Sequence, residues 1–153
     1  MTGDVWAPDE PQPRRVSSGA VWEPVVGYSR AVAAGDFVFV SGCTSIDGAQ
    51  FVYPDDASAQ TTQAIANVRT ALEALGSGLH DVVRTRMFVT DMSRWEEYGR
   101  AHGAAFGPVM PATSMIGVSA LVDPRMLVEV EAIAYRPGIG GRQPGPQTVA
   151  GLA

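Results

Sequence analysis

Apolar and polar positions along this chain switch between two periods, and the order of the switches predicts a layered α+β domain. In "YSRAVAAGDFVFVSG", two short β-prone runs, 28–33 and 37–41, flank the turn signal Ala34-Gly35-Asp36, which predicts a hairpin. Phe37 and Phe39 point one way and Val38 and Val40 the other, so this strand needs cover on both sides. "QFVY" is a candidate for a short further strand. The stretch "SAQTTQAIANVRTALEALG" places Ile65, Val68, Leu72 and Leu75 at helical spacing, with Gly76 as its stop. "DVVRTRMFVTD" returns to period two, with Val83, Thr85, Met87 and Val89 on one face and Arg84, Arg86, Phe88 and Thr90 on the other. "SRWEEYGRAHGAAFG" reads as a second helix, opened by Ser93 and Glu96 at capping-box spacing and closed before Gly107. Two strands, "TSMIGV" and "MLVEVEAIA", complete the order ββ(β)αβαββ.

Two helices cover one face of such a sheet. The other face would carry an apolar patch, and a patch of that kind usually marks an interface. A homo-oligomer closed through the uncovered sheet faces is therefore expected.

The termini break the pattern. Residues 1–16 are Pro-rich and acidic and are expected to form a flexible arm, and 137–153, dominated by Gly, Pro and small residues, a flexible tail. A single domain, 17–136, lies between them. Its balance of 46% hydrophobic and 18% charged residues is that of a globular chain rather than a disordered one. The net charge of −5 argues against a nucleic-acid partner held by phosphate neutralisation. A lone cysteine, Cys43, excludes an intrachain disulfide, and no apolar run is long enough for a membrane span. A cytoplasmic location is the expectation. No His/Cys/Asp cluster has metal-ligand spacing, so no metal is expected.

Taken in order, "GYSRAV", "GDFVFVSG", "AQTTQAIANVRTALEALG", "DVVRTRMFVTDM", "PATSM" and "LVEVEAIA" resemble the Rid family, also called YjgF or L-PSP. The resemblance implies a chorismate-mutase-like α+β subunit, a homotrimer whose sheets form a central barrel, and ligand clefts at the subunit interfaces. It further implies hydrolysis of reactive enamines and imines of small metabolites to ketones and ammonia, without a metal or organic cofactor. The family's active deaminases grip a substrate carboxylate with the arginine of a Pro-Ala-Arg motif. Here the motif reads Pro111-Ala112-Thr113, and a hydroxyl cannot make the bidentate contact of a guanidinium. The chain is in this respect similar to Rid subgroups that lack the arginine. A second departure is Gly99, where active members tend to have Asn.

By this resemblance Glu129 positions the attacking water, Tyr28 lines the cleft, and Ser41-Gly42 brings backbone close to the ligand. A partly buried acid suits such a role, because a raised pKa lets it exchange a proton near neutrality. Thr113 stands at the anchor position, where it could donate one hydrogen bond to a neutral or smaller ligand. Arg30, two residues after Tyr28, is the candidate replacement anion anchor, ahead of Arg84 and Arg86. Glu131 is expected in a structural ion pair, Cys43 and His102 in packing, and Trp22 and Trp95 as anchors of the arm and second helix. The rival readings are a non-catalytic metabolite-binding or pathway-accessory module and, more remotely, an endoribonuclease.

Overall fold

The computed structural model describes residues 12–140. Eight strands and three α-helices follow one another as β1 (Arg14–Val16), α1 (Trp22–Val26), β2 (Ala31–Ala34), β3 (Phe37–Cys43), β4 (Ile46–Asp47), β5 (Gln50–Phe51), α2 (Ala57–Ala74), β6 (Val82–Val89), α3 (Trp95–Phe106), β7 (Ala112–Gly117) and β8 (Val128–Tyr135). Six strands form one sheet in the order β1-β2-β3-β8-β6-β7, while β4 and β5 pair separately. Every pair in the large sheet is antiparallel except β6 with β7, which run parallel. The architecture is the mixed α+β sheet with two main helices that the hydrophobic pattern predicts.

The hairpin forms because Gly35 takes a positive φ of 57°, which suits the first central position of a two-residue turn. α2 opens at Asp56, whose side chain accepts from the Ala59 amide, and stops at Gly76 with φ 85°. Its Ile65, Val68 and Leu72 are buried, as their spacing predicts, and α2 packs across β3 and β8 with α3 beside it. Val38 and Val40 of β3, Met87 and Val89 of β6, and Val128 and Val130 of β8 face these helices and make the core.

Several boundaries differ from the expectation. Arg14–Val16, counted with the flexible arm, form an edge strand on β2, and Arg14 donates to the carbonyls of Leu75 and Ile139 at 3.0 and 2.9 Å. Ile139, counted with the tail, is buried in the core. The rest of the arm, 1–11, and of the tail, 141–153, lies outside the described residues. Ser93 does not cap the second helix. Asp91 accepts from the Ser93 amide at 3.0 Å and opens a 3-10 turn, Met92–Arg94, that leads into α3. In β6 the register against β8 shifts between Val82 and Arg84, so Val82 is buried and Val83 is 44% exposed. The short helix α1 goes unannounced in the sequence pattern because Pro24 and the Val pair suppress helical propensity. Trp22 and Trp95 are both exposed, and Trp95 does not anchor α3. No helix among the described residues is long and apolar enough to cross a membrane.

Candidate functional site

A bulge in β3 organises the residues nominated by the sequence. β3 pairs with β8 from Phe37 to Val40 and again at Cys43, leaving Ser41 and Gly42 opposite the single residue Glu131. The bulge turns its backbone carbonyls toward the chain entering β2, where Arg30 meets them. Arg30 Nη1 donates to Gly42 O at 2.5 Å and to Ser41 O at 3.3 Å, and lies 3.4 Å from Cys43 Sγ. Nη2 donates to the Tyr28 hydroxyl at 3.2 Å, and the guanidinium sits 5.6 Å from the centre of the Tyr28 ring. Tyr28 and Arg30 therefore meet, although they lie just before β2 rather than within it. Ser41 Oγ donates to the Ser29 carbonyl at 2.7 Å and ties the bulge to the same segment.

Glu129 approaches this bulge from β8. Its side chain lies over Gly42 so closely that a Cβ built there would come within 2.7 Å of Glu129 Cγ. Glycine is thus required by the neighbouring carboxylate rather than by its own φ. Burial raises the Glu129 pKa, the negative charge of Glu131 pushes it further up, and Arg30 pulls it back. Glu131 forms the expected ion pair, with Arg86 Nη1 at 2.8 Å. Cys43 is buried, and burial pushes its thiol up to about 11 against the pull of Arg30, so it rests as a neutral thiol.

Thr113 lies elsewhere. It pairs with Thr85 across the parallel β6–β7 ladder, on the helix-facing side of the sheet, whereas Glu129 pairs with Phe88 on the opposite side. Within one protomer Glu129 and Thr113 do not converge. Thr113 Oγ1 contacts Thr85 Oγ1 at 2.8 Å, and Thr85 Oγ1 contacts His102 Nε2 at 2.9 Å. His102 is held against Phe106, with ring centres 4.7 Å apart, and its burial lowers its pKa. Arg84 extends from the other face and donates to Ser114 Oγ at 3.0 Å.

The sequence reading missed Thr85 as a partner of Thr113. The available signal was a hydroxyl on the apolar face of β6. It also missed Glu23 on α1, a buried carboxylate that accepts from the hydroxyls of Ser17 and Ser18 and from the Ser18 amide at 2.9 Å. Burial works to raise its pKa, but the Ser17 and Ser18 hydrogen bonds outweigh it, helped by Arg30, and the net shift is downward. Among the described residues no group of three His, Cys, Asp or Glu side chains is placed to hold a metal ion.

Comparison with known proteins adds a family to this geometry. The family described as Endoribonuclease L-PSP matches residues 19–136. A Streptomyces coelicolor protein of uncharacterised function is 40% identical over 123 residues, covering 80% of this chain and 92% of that one. The crystal structure of a Mycobacterium tuberculosis member of the YjgF/YER057c/UK114 family superposes with a TM-score of 0.74 at 48% identity, over 81% of this chain and 99% of that one. The 2-iminobutanoate/2-iminopropanoate deaminase of Salmonella typhimurium is 33% identical over 116 residues, 71% of this chain and 87% of that one.

Proposed function

The chain belongs to the YjgF/L-PSP family, and from that premise we propose that it binds a small metabolite in a cleft completed by a second copy and adds water across a carbon–nitrogen double bond. The observation that carries this reading is Glu129, a partly buried carboxylate with a raised pKa set over the Gly42 bulge. A carboxylate held there takes a proton from water as the oxygen attacks the imine carbon. The same proton returns to nitrogen to give a carbinolamine. The remaining hydroxyl proton then passes through the carboxylate to the amine as the C–N bond breaks, and a ketone and ammonia leave. The Tyr28 hydroxyl, oriented by Arg30, assists at the polar end of the ligand. The similarity to the Salmonella imine deaminase supports this reaction class.

The open face of the sheet supports assembly as a homotrimer. Phe37, Phe39, Ile116 and Tyr135 are 41%, 46%, 38% and 43% exposed there, which is unfavourable for a lone protomer. Association also accounts for a site whose two halves, Glu129 and Thr113, lie on opposite faces of one sheet. Arg30 is largely committed to the bulge through Nη1 and Nη2, so its main role here is to brace Tyr28 and Gly42, with anion binding left to its remaining N–H groups.

Ammonia release from 2-imino acids and simple imines, generated in situ by an amino-acid oxidase, tests the reaction. Glu129→Gln is expected to lower the rate on the order of a hundredfold. Fast turnover that is indifferent to Glu129→Gln refutes the assigned role. Ligand binding without turnover across the imine panel favours a metabolite-binding module instead.

A further inference from the structure

The hydrogen-bond chain behind Thr113 restricts what its hydroxyl can offer a ligand. A threonine hydroxyl has one hydrogen and two lone pairs. Thr113 Oγ1 lies 3.1 Å from the Pro111 carbonyl, which can only accept, and 2.8 Å from Thr85 Oγ1. Thr85 is fully buried, so its hydroxyl has Thr113 and His102 as partners and no water to turn to.

Two arrangements satisfy the chain. In one, His102 Nε2–H donates to Thr85, Thr85 donates to Thr113, and Thr113 donates to Pro111. In the other, Thr113 donates to Thr85 and Thr85 donates to an unprotonated His102 Nε2. A third, with the two hydroxyl hydrogens turned away from each other, leaves lone pairs facing across 2.8 Å and is disfavoured. In both satisfied arrangements the only Thr113 hydrogen already has an acceptor, the Pro111 carbonyl through an exposed hydrogen bond in the first and the buried Thr85 hydroxyl in the second. What remains open is lone-pair capacity, whichever ring nitrogen of His102 carries the proton.

Resting on the reading that Thr113 lines the ligand cleft, we propose that its hydroxyl serves there as a hydrogen-bond acceptor and selects a ligand bearing an N–H or O–H donor over one bearing a carboxylate. A carboxylate placed at Thr113 meets an acceptor, or else must displace the Pro111 carbonyl or Thr85 to obtain a hydrogen. The Arg84 guanidinium reaches Ser114 on the opposite face of the strand and does not neutralise an anion at Thr113. The substrate class is thus a small imine or carbonyl compound whose second polar group is a carboxamide, hydroxyl or ammonium.

Pyruvate and pyruvamide, the acid and amide of one skeleton, test this by chemical-shift titration of the full-length ¹⁵N-labelled chain. Both probes are expected to shift the amides of Ala112, Thr113 and Ser114, with pyruvamide bound at least about fivefold tighter, the worth of roughly one hydrogen bond. Thr113→Val keeps the β-branched shape that the strand needs and is expected to bring the two affinities together. Thr113→Arg is expected to reverse the preference. If both probes act at 112–114 and pyruvate binds tighter to the unmodified chain, the acceptor assignment is overturned while the cleft stands. If neither probe shifts 112–114, the cleft reading itself fails and takes the proposal with it.

Discussion

The Glu129 side chain lies directly over Gly42, and the space between them is too small for a methyl group. Gly42 belongs to the β3 bulge whose carbonyl Arg30 holds at 2.5 Å, so one backbone irregularity positions both a carboxylate and a cation. Gly42→Ala is expected to swing Glu129 aside rather than to unfold the chain, because a side chain yields more easily than backbone. The expected result is a stability loss of about 1 kcal/mol in urea denaturation and a fall in imine hydrolysis on the order of a hundredfold.

Glu129 should weaken the fold at neutral pH. Its folded-state pKa is raised by burial and by Glu131, so the folded chain binds the proton more tightly than the unfolded chain does. The resulting stability is fully present below the ordinary value of 4.5 and is lost as pH rises through the folded pKa. Glu129→Gln is therefore expected to raise Tm at pH 7 relative to the unmodified chain, and to lose that advantage near pH 4. Thermal scans at the two pH values measure it, and an unchanged difference would sink the assignment.

Arg30 braces the bulge through charged hydrogen bonds to two carbonyls and the Tyr28 hydroxyl. Arg30→Ala is expected to cost about 1–2 kcal/mol, the low end of the range for charged hydrogen bonds because the site is partly solvated. Arg30→Lys should recover only part of it, since an ammonium cannot span the carbonyls and the hydroxyl with a planar fork. Denaturant midpoints of the three proteins give the comparison.

Phe39 projects from the open face of the sheet while its neighbours Val38 and Val40 fill the core. Phe39→Asp is expected to abolish the proposed trimer and leave the protomer folded. Light scattering after size exclusion should fall from three chains to one, with the far-UV spectrum unchanged. A mass unaltered by the substitution places the interface elsewhere.

His102 is half-buried, and its partial desolvation lowers the pKa below the ordinary 6.5. The unfolded chain then takes up a proton more readily than the folded one, so stability present above pH 6.5 is lost as pH falls through the folded pKa. His102→Gln keeps a group able to pair with Thr85 and removes the titration. Its stability is expected to fall less than that of the unmodified chain between pH 7 and pH 5, as followed by urea denaturation.

Part of the candidate site is local in sequence. Tyr28, Arg30, Ser41 and Gly42 span fifteen positions around one hairpin, so turn chemistry at Gly35 is enough to bring them together. Glu131 was legible as an ion-paired strand residue for a similar reason: an acid at alternate spacing on an apolar strand needs a partner, and Arg86 on the adjacent strand supplies it. His102 was less legible. Its helical spacing from Tyr98 and Phe106, both buried, marks the inner face of α3, but nothing in the helix points to Thr85.

The periods of the hydrophobic pattern determined the main strands, the two long helices and the existence of an open apolar sheet face, because those features depend on neighbours within a few residues. The motif order pointed to the family, and the single substitution at Thr113 raised the question of what replaces an arginine. Pairing across the sheet decided the rest. The bulges at Val83 and at Ser41-Gly42, the placement of Glu129 over Gly42, and the burial of Thr85 between Thr113 and His102 are set by long-range register. A shift of one residue reverses the face a side chain occupies, and no local period encodes it. For that reason the sequence could name Glu129 and Thr113, but only the tertiary structure placed them on opposite faces of one sheet.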